Sequence, residues 1–135
     1  MVNVRKLIVV QKKFYKNIGT VFCPVLNETI YFNSNGFRHL IFKNNREWRN
    51  VPEVTLKLSC LPAVPYVIKK AKEISQTRTI EVVKYGNKKV VRHFELVAKS
   101  KGKLIRVVLE KIGDGKIHFL STMPHYKLSK KPRRG

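Results

Sequence analysis

The sequence predicts an α+β fold, with N-terminal helices packed on one face of a roughly four-stranded antiparallel β-sheet. Three observations carry this. Between residues 79 and 123, β-branched and aromatic runs alternate with glycine turns of hairpin type. Ahead of them lie segments with helical spacing, caps and proline starts. Hydrophobic residues make up 43% of a chain of 135, enough for a real core in one domain.

The sheet comes first because its register is legible. A two-residue loop at Lys101-Gly102 sets Ala98 opposite Ile105, Leu96 opposite Val107 and Phe94 opposite Leu109. A three-residue loop at Gly113-Asp114-Gly115 sets Leu109 opposite Phe119, Val107 opposite Ser121 and Ile105 opposite Met123. One face is then almost wholly apolar: Phe94, Leu96, Ala98, Ile105, Val107, Leu109, Ile117, Phe119 and Met123. A slip of one residue would turn that set to water, so the pattern constrains the pairing. The opposite face carries a row His93–Glu110–His118 and a row Val97–Arg106–Thr122. Two imidazoles flanking a carboxylate, with a guanidinium beside them, suit proton transfer and phosphate holding. The competing reading is a solvated charge ladder worth a few tenths of a kcal/mol per pair.

The other elements follow in chain order. Val4, Leu7, Ile8, Gln11, Phe14 and Ile18 keep helical spacing up to Gly19, although the β-branched content makes a strand the rival. Residues 20–25 and 29–32 form a small hairpin, and Pro24 puts its first strand at an edge. Residues 33–36 are a turn, and 37–43 a short helix with Phe37, Leu40 and Ile41 on one side and His39 on the other. Asn50, Pro52 and Glu53 start a helix with Val54, Leu58 and Leu61 buried; Pro62 ends it. Pro65 opens another, with Val67, Ile68, Ala71 and Ile74 inward. The sheet then begins at residues 79–84. Residues 1–126 make the single domain, and 127–135 a basic tail suited to loose phosphate contact.

Charge narrows the partner. Twenty-nine Lys and Arg against 8 Asp and Glu give +21, spread over the whole chain. Such an excess calls for a polyanion, with nucleic acid ahead of an anionic membrane. The apolar run at 7–10 is too short for a signal peptide or a span. Cys23 and Cys60, without metal-type spacing, suggest free thiols in the reducing cytoplasm. Unpaired acidic residues leave little for a two-metal site, so the expected chemistry uses neither metal nor cofactor.

Three segments together resemble a known group. They are 30–40 (Ile-Tyr-Phe-Asn-Ser-Asn-Gly-Phe-Arg-His-Leu), 58–62 (Leu-Ser-Cys-Leu-Pro) and 115–123 (Gly-Lys-Ile-His-Phe-Leu-Ser-Thr-Met). The chain thereby resembles the barnase/EndoU/colicin D/RelE-like nuclease superfamily over about residues 19–124, nearest its phage- and mobile-element-associated branch. The resemblance implies a metal-independent endoribonuclease of toxin type. It implies RNA as substrate (tRNA or mRNA) and an acidic antitoxin or immunity protein as partner. It points to His39, Arg46 ahead of Arg49, His118, and Ser121 or Thr122 as site residues. In the register above Ser121 falls on the apolar face and Thr122 beside Arg106, a conflict that a bulge near the strand end would resolve. The sheet row adds Glu110, His93 and Arg106. The catalytic set is then His39, His118, Glu110, Arg106, Arg46, Ser121 and Thr122, with Arg38, Lys43, Arg49, His93 and Lys116 as nucleic-acid contacts. The alternative is a non-catalytic RNA- or DNA-binding protein with the same charge but no working His pair.

Overall fold

A computed structural model describes residues 3–43 and 47–125. Arg46 and the basic tail lie outside the described residues. The elements run α1 (Val4–Ile18), β1 (Thr20–Cys23), β2 (Glu28–Tyr31), α2 (Ser34–Ile41), α3 (Val51–Cys60), a 3-10 turn (Leu61–Ala63), α4 (Val64–Lys70), β3 (Ile74–Lys84), β4 (Asn87–Ser100), β5 (Lys103–Ile112) and β6 (Ile117–Pro124).

The α+β class holds, but the sheet is larger than the sequence suggested. Among the described residues it has six strands in the order β1-β2-β6-β5-β4-β3. Its antiparallel character is also incomplete, because β2 runs parallel to β6 and joins the N-terminal hairpin to the meander. That join is short: only Ile30–Ile117 and Tyr31–His118 pair. From Phe119 onward the outer side of β6 is lined by α2 and α3 instead of a strand.

The start of the chain forms α1, capped by the Asn3 side chain and ended by Gly19 at φ 69°. The strand rival is thereby excluded. β1 is an edge strand, with Pro24 just past it. α2 begins earlier than the turn at 33–36 implied. Asn33 is its N-cap, accepting from the Gly36 N–H, and the residues read as a turn form its first coil. α3 starts on Asn50, whose side chain accepts from the Glu53 N–H, with Pro52 in the first turn. α4 stops at Lys70, so Ile74 belongs to β3, which starts five residues before residue 79.

The apolar sheet face is covered by α3 and α4, with α1 packed against α3. Val54, Leu58, Leu61, Val64, Val67 and Ile68 pack toward Leu96, Val107, Leu109 and Phe119, all buried. The helical run Val51–Lys70 is long and apolar enough to cross a membrane by length and composition. Here its apolar side supplies about a third of the buried core residues among those described. Phe32 stacks on Phe119 at 5.3 Å and Tyr15 packs edge-on to Phe32 at 5.6 Å, so these rings serve the interior. Cys23 and Cys60 are free thiols inside the same core.

The β4–β5 register is the one read from the sequence: Phe94–Leu109, Leu96–Val107 and Ala98–Ile105. The β5–β6 register matches only at first, through Glu110–His118 and Leu109–Phe119. A bulge then inserts one residue, and Ser121 pairs with Val108, Thr122 with Val107 and Met123 with Arg106. Ser121 therefore leaves the apolar face, Thr122 moves onto it, and Met123 no longer belongs to it. The proposed row Val97–Arg106–Thr122 becomes Val97–Arg106–Met123.

Candidate functional site

The open face of the sheet carries one continuous polar row. Pairing places Arg78 (β3), His93 (β4), Glu110 (β5), His118 (β6) and Tyr31 (β2) side by side across five strands. Alternation along each strand sends all five side chains to the same face. At the centre, Glu110 bridges two imidazoles. His93 Nε2 lies 2.9 Å from Glu110 Oε2, and His118 Nε2 lies 3.1 Å from Glu110 Oε1. Each carboxylate oxygen holds one ring. An ionised carboxylate only accepts, so each Nε2 carries its proton and donates. The Nδ1 of both rings is then the nitrogen left for chemistry.

Glu110 is held below the usual glutamate range, first by the hydrogen bond from His118, then by that from His93; partial burial opposes them. A lowered folded-state pKa adds stability at pH values above the unfolded value of about 4.3, and that stability is lost as pH falls through the folded value. We expect Glu110→Gln to cost about 1–3 kcal/mol near neutrality, because the amide cannot accept from both rings. Its denaturant midpoint should also fall less steeply than the native chain's between about pH 5 and about pH 3. Parallel curves for the two proteins would show that Glu110 is not the anchor of the row.

Beside the row, a cleft of about 230 Å3 is lined by Gln76, Arg78, His93, Glu95, Arg106 and Val108. Arg106 sits 3.7 Å from Glu95, and Glu95 also accepts from Ser75 at 2.9 Å. Among the described residues the Arg106 Nε is buried without a partner. The cleft thus presents two guanidinium groups, one of them balanced by a carboxylate.

α2 and α3, packed along β6, carry further polar groups. His39 on α2 is half-buried. Burial pushes its pKa below the ordinary histidine value, and the charges of Arg49 and Lys57 add to this; Glu110 opposes it and His93 reinforces it. His39 thus shares an electrostatic neighbourhood with Glu110 and His93, and its environment favours the neutral imidazole. Arg49 acts as a strut: its Nε donates to the His39 carbonyl at 2.9 Å and a terminal nitrogen pairs with Glu53 at 2.8 Å. These bonds tie α3 to α2 and fix the end of the helix that carries His39.

Lys57 is the residue that sequence reasoning passed over. It is 5% exposed, and its Nζ donates to Ser121 Oγ at 3.2 Å. Burial lowers its pKa, and the Arg49 charge adds to the effect. Its signal was its position on the 54, 57, 58, 61 stripe of α3, a core spacing that a lysine does not ordinarily occupy.

The remaining candidates separate clearly. Ser121 is turned toward the open face by the bulge but is occupied by Lys57. Thr122 is buried, and its hydroxyl donates to the Arg106 carbonyl at 2.8 Å, so it holds β5 to β6. Lys116 lies over the Tyr31 ring at 4.6 Å, at the β2 end of the row. Arg38 lies over Phe42 and is exposed; Lys43 makes an exposed pair with Glu47. Among the described residues no group of three or more His, Cys, Asp and Glu side chains is arranged to hold a metal ion.

Compared with known protein families, curated proteins and solved structures, the chain matches none.

Proposed function

We propose that the protein is an endoribonuclease that cleaves RNA by attack of the substrate's own 2′-hydroxyl. The observation that carries this reading is the Glu110 carboxylate bridging His93 and His118 on an open, cationic sheet face, with His39 in the same electrostatic neighbourhood. It also fits the resemblance to the barnase/EndoU/colicin D/RelE-like nucleases.

His39 takes the proton from the 2′-hydroxyl, because burial and two neighbouring cations keep its imidazole neutral. The 2′-oxygen attacks phosphorus and the bond to the 5′-oxygen breaks. His118 gives that oxygen a proton from Nδ1, the nitrogen not spent on Glu110. Glu110 orients His118 and offsets the positive charge of its doubly protonated ring. Arg106 and Arg78, on the cleft beside the row, hold the phosphate oxygens as charge builds on them. Every proton moves between side chains of this chain and the substrate, so the route uses no metal and no cofactor. A cell making such an enzyme needs an inhibitor, and +21 favours an acidic antitoxin or immunity protein.

Incubation of the purified protein with single-stranded RNA in chelator tests the reading. The expected products end in 2′,3′-cyclic phosphate and 5′-hydroxyl, and a substrate with 2′-O-methyl ribose stays whole. RNA that is bound but never cut would leave the non-catalytic binding protein as the reading. Salt dependence does not separate the two, since both lose affinity steeply as salt rises.

A further inference from the structure

The sheet face that carries the histidine row continues toward the tip of the β3–β4 hairpin. One step along, the pairing sets Ile80, Val91 and Ile112 side by side; a further step sets Val82 beside Lys89. Two residues advance a strand by about 7 Å, so the apolar row lies next to the histidines. Ile80, Val82 and Ile112 are each about 40% exposed, which is unusual for adjacent aliphatic side chains outside a core. Val82 and Ile112, together with Tyr85, Asn87, Lys89 and Val91, shape a slot of about 480 Å3.

The hairpin turn gives a second, independent observation. Tyr85 and Gly86 are its two central residues, with φ of 53° and 78°. This turn type favours Asn-Gly, because a residue with a Cβ is strained at positive φ. Here the strained position carries an aromatic ring that is 92% exposed. Strain kept at an exposed aromatic points to binding.

We infer that this slot, floored by Val82, Val91 and Ile112 and walled by the Tyr85 ring, takes an unstacked base of single-stranded RNA next to the phosphate held at the histidine row. The inference rests on the nuclease reading for its substrate. Every base offers an apolar face, which aliphatic and aromatic side chains accept without regard to sequence. Lys89 and Asn87 at the rim serve the backbone and the base edge. The surrounding charge opposes a second copy of this chain and favours a polyanion. A duplex keeps its bases stacked and has no face to offer the slot.

The test compares three labelled probes of equal length: a 2′-O-methyl single strand, the same phosphate backbone without bases, and a 2′-O-methyl duplex. Tyr85→Asn suits the turn backbone and removes the ring; Val82→Ser is the second variant, removing part of the floor. Each is expected to bind the base-bearing single strand about tenfold more weakly, with affinity for the abasic strand and the duplex unchanged. Equal losses on all three probes, or no loss on any, would overturn the slot. RNA cleavage by the native chain is measured alongside. Cleavage with unaltered variant binding removes the slot and keeps the nuclease; the expected binding pattern without cleavage keeps the slot and removes the nuclease.

Discussion

His118→Ala is expected to lower RNA turnover by roughly 10²- to 10⁴-fold while RNA affinity stays at the native level. That corresponds to about 3–5 kcal/mol of transition-state stabilisation. The two readouts separate because His118 contributes little to the positive charge that attracts RNA. The substitution also removes a partner of Glu110, so a structural cause has to be told apart from a chemical one. His118→Gln does this. Its amide can still donate to Glu110 from about the place of Nε2, but it cannot exchange a proton at the Nδ1 position. We expect it to be as inactive as the alanine variant and more stable. Recovery of turnover in His118→Gln would make His118 a positioning residue and end its assignment as the acid.

Gly36→Ala is expected to destabilise the protein by about 2–4 kcal/mol, mostly by overpacking. A Cβ at this position would lie 2.6 Å from the Phe119 carbonyl oxygen, 2.5 Å from the Tyr15 hydroxyl and 2.9 Å from the Phe119 ring. The carbonyl belongs to β6 and cannot swing aside as a side chain can. Ala normally gains about 1 kcal/mol over Gly inside a helix, and here the clash outweighs it. Tyr15 also donates to the Asn33 carbonyl at the start of α2, so displacing it loosens the helix at its cap. Removing the hydroxyl with Tyr15→Phe is not expected to rescue the variant, since the backbone contact remains. Thermal unfolding checks this, and a midpoint equal to or above the native one would mean α2 does not sit this close to β6. The same contact explains the Asn-Gly-Phe-Arg-His stretch in physical terms. Asn35 aside, the cap residue Asn33 starts the helix, Gly36 lets it touch the strand, and His39 follows one turn later.

Local signals were read well and long-range ones were not. The register of β4 on β5, and with it the row His93–Glu110–His118, followed from glycine turns and an unbroken apolar alternation. The cap at Asn50 and the helix at α1 were equally local. The parallel join of β2 to β6 was missed because two paired positions, some ninety residues apart in sequence, leave no periodic trace. The bulge was posed only as a way to reconcile Ser121 with Thr122. Its trace is the pair Phe119-Leu120, where two apolar neighbours interrupt the alternation. Lys57 was passed over because lysine is so seldom buried, and only its place on the core stripe argued for it.

The strand that arrives last from the ribosome among the described elements fills a gap in the middle of the sheet. Until residues 117–124 emerge, β2 and β5 each keep an open border, and the row lacks His118. A partly synthesised chain therefore has neither a closed sheet nor a complete polar row. Folding must wait for a contact between distant parts of the sequence, which slows it and leaves sticky borders exposed meanwhile. If the proposed nuclease reading holds, the same delay withholds RNA cleavage until β6 has been made.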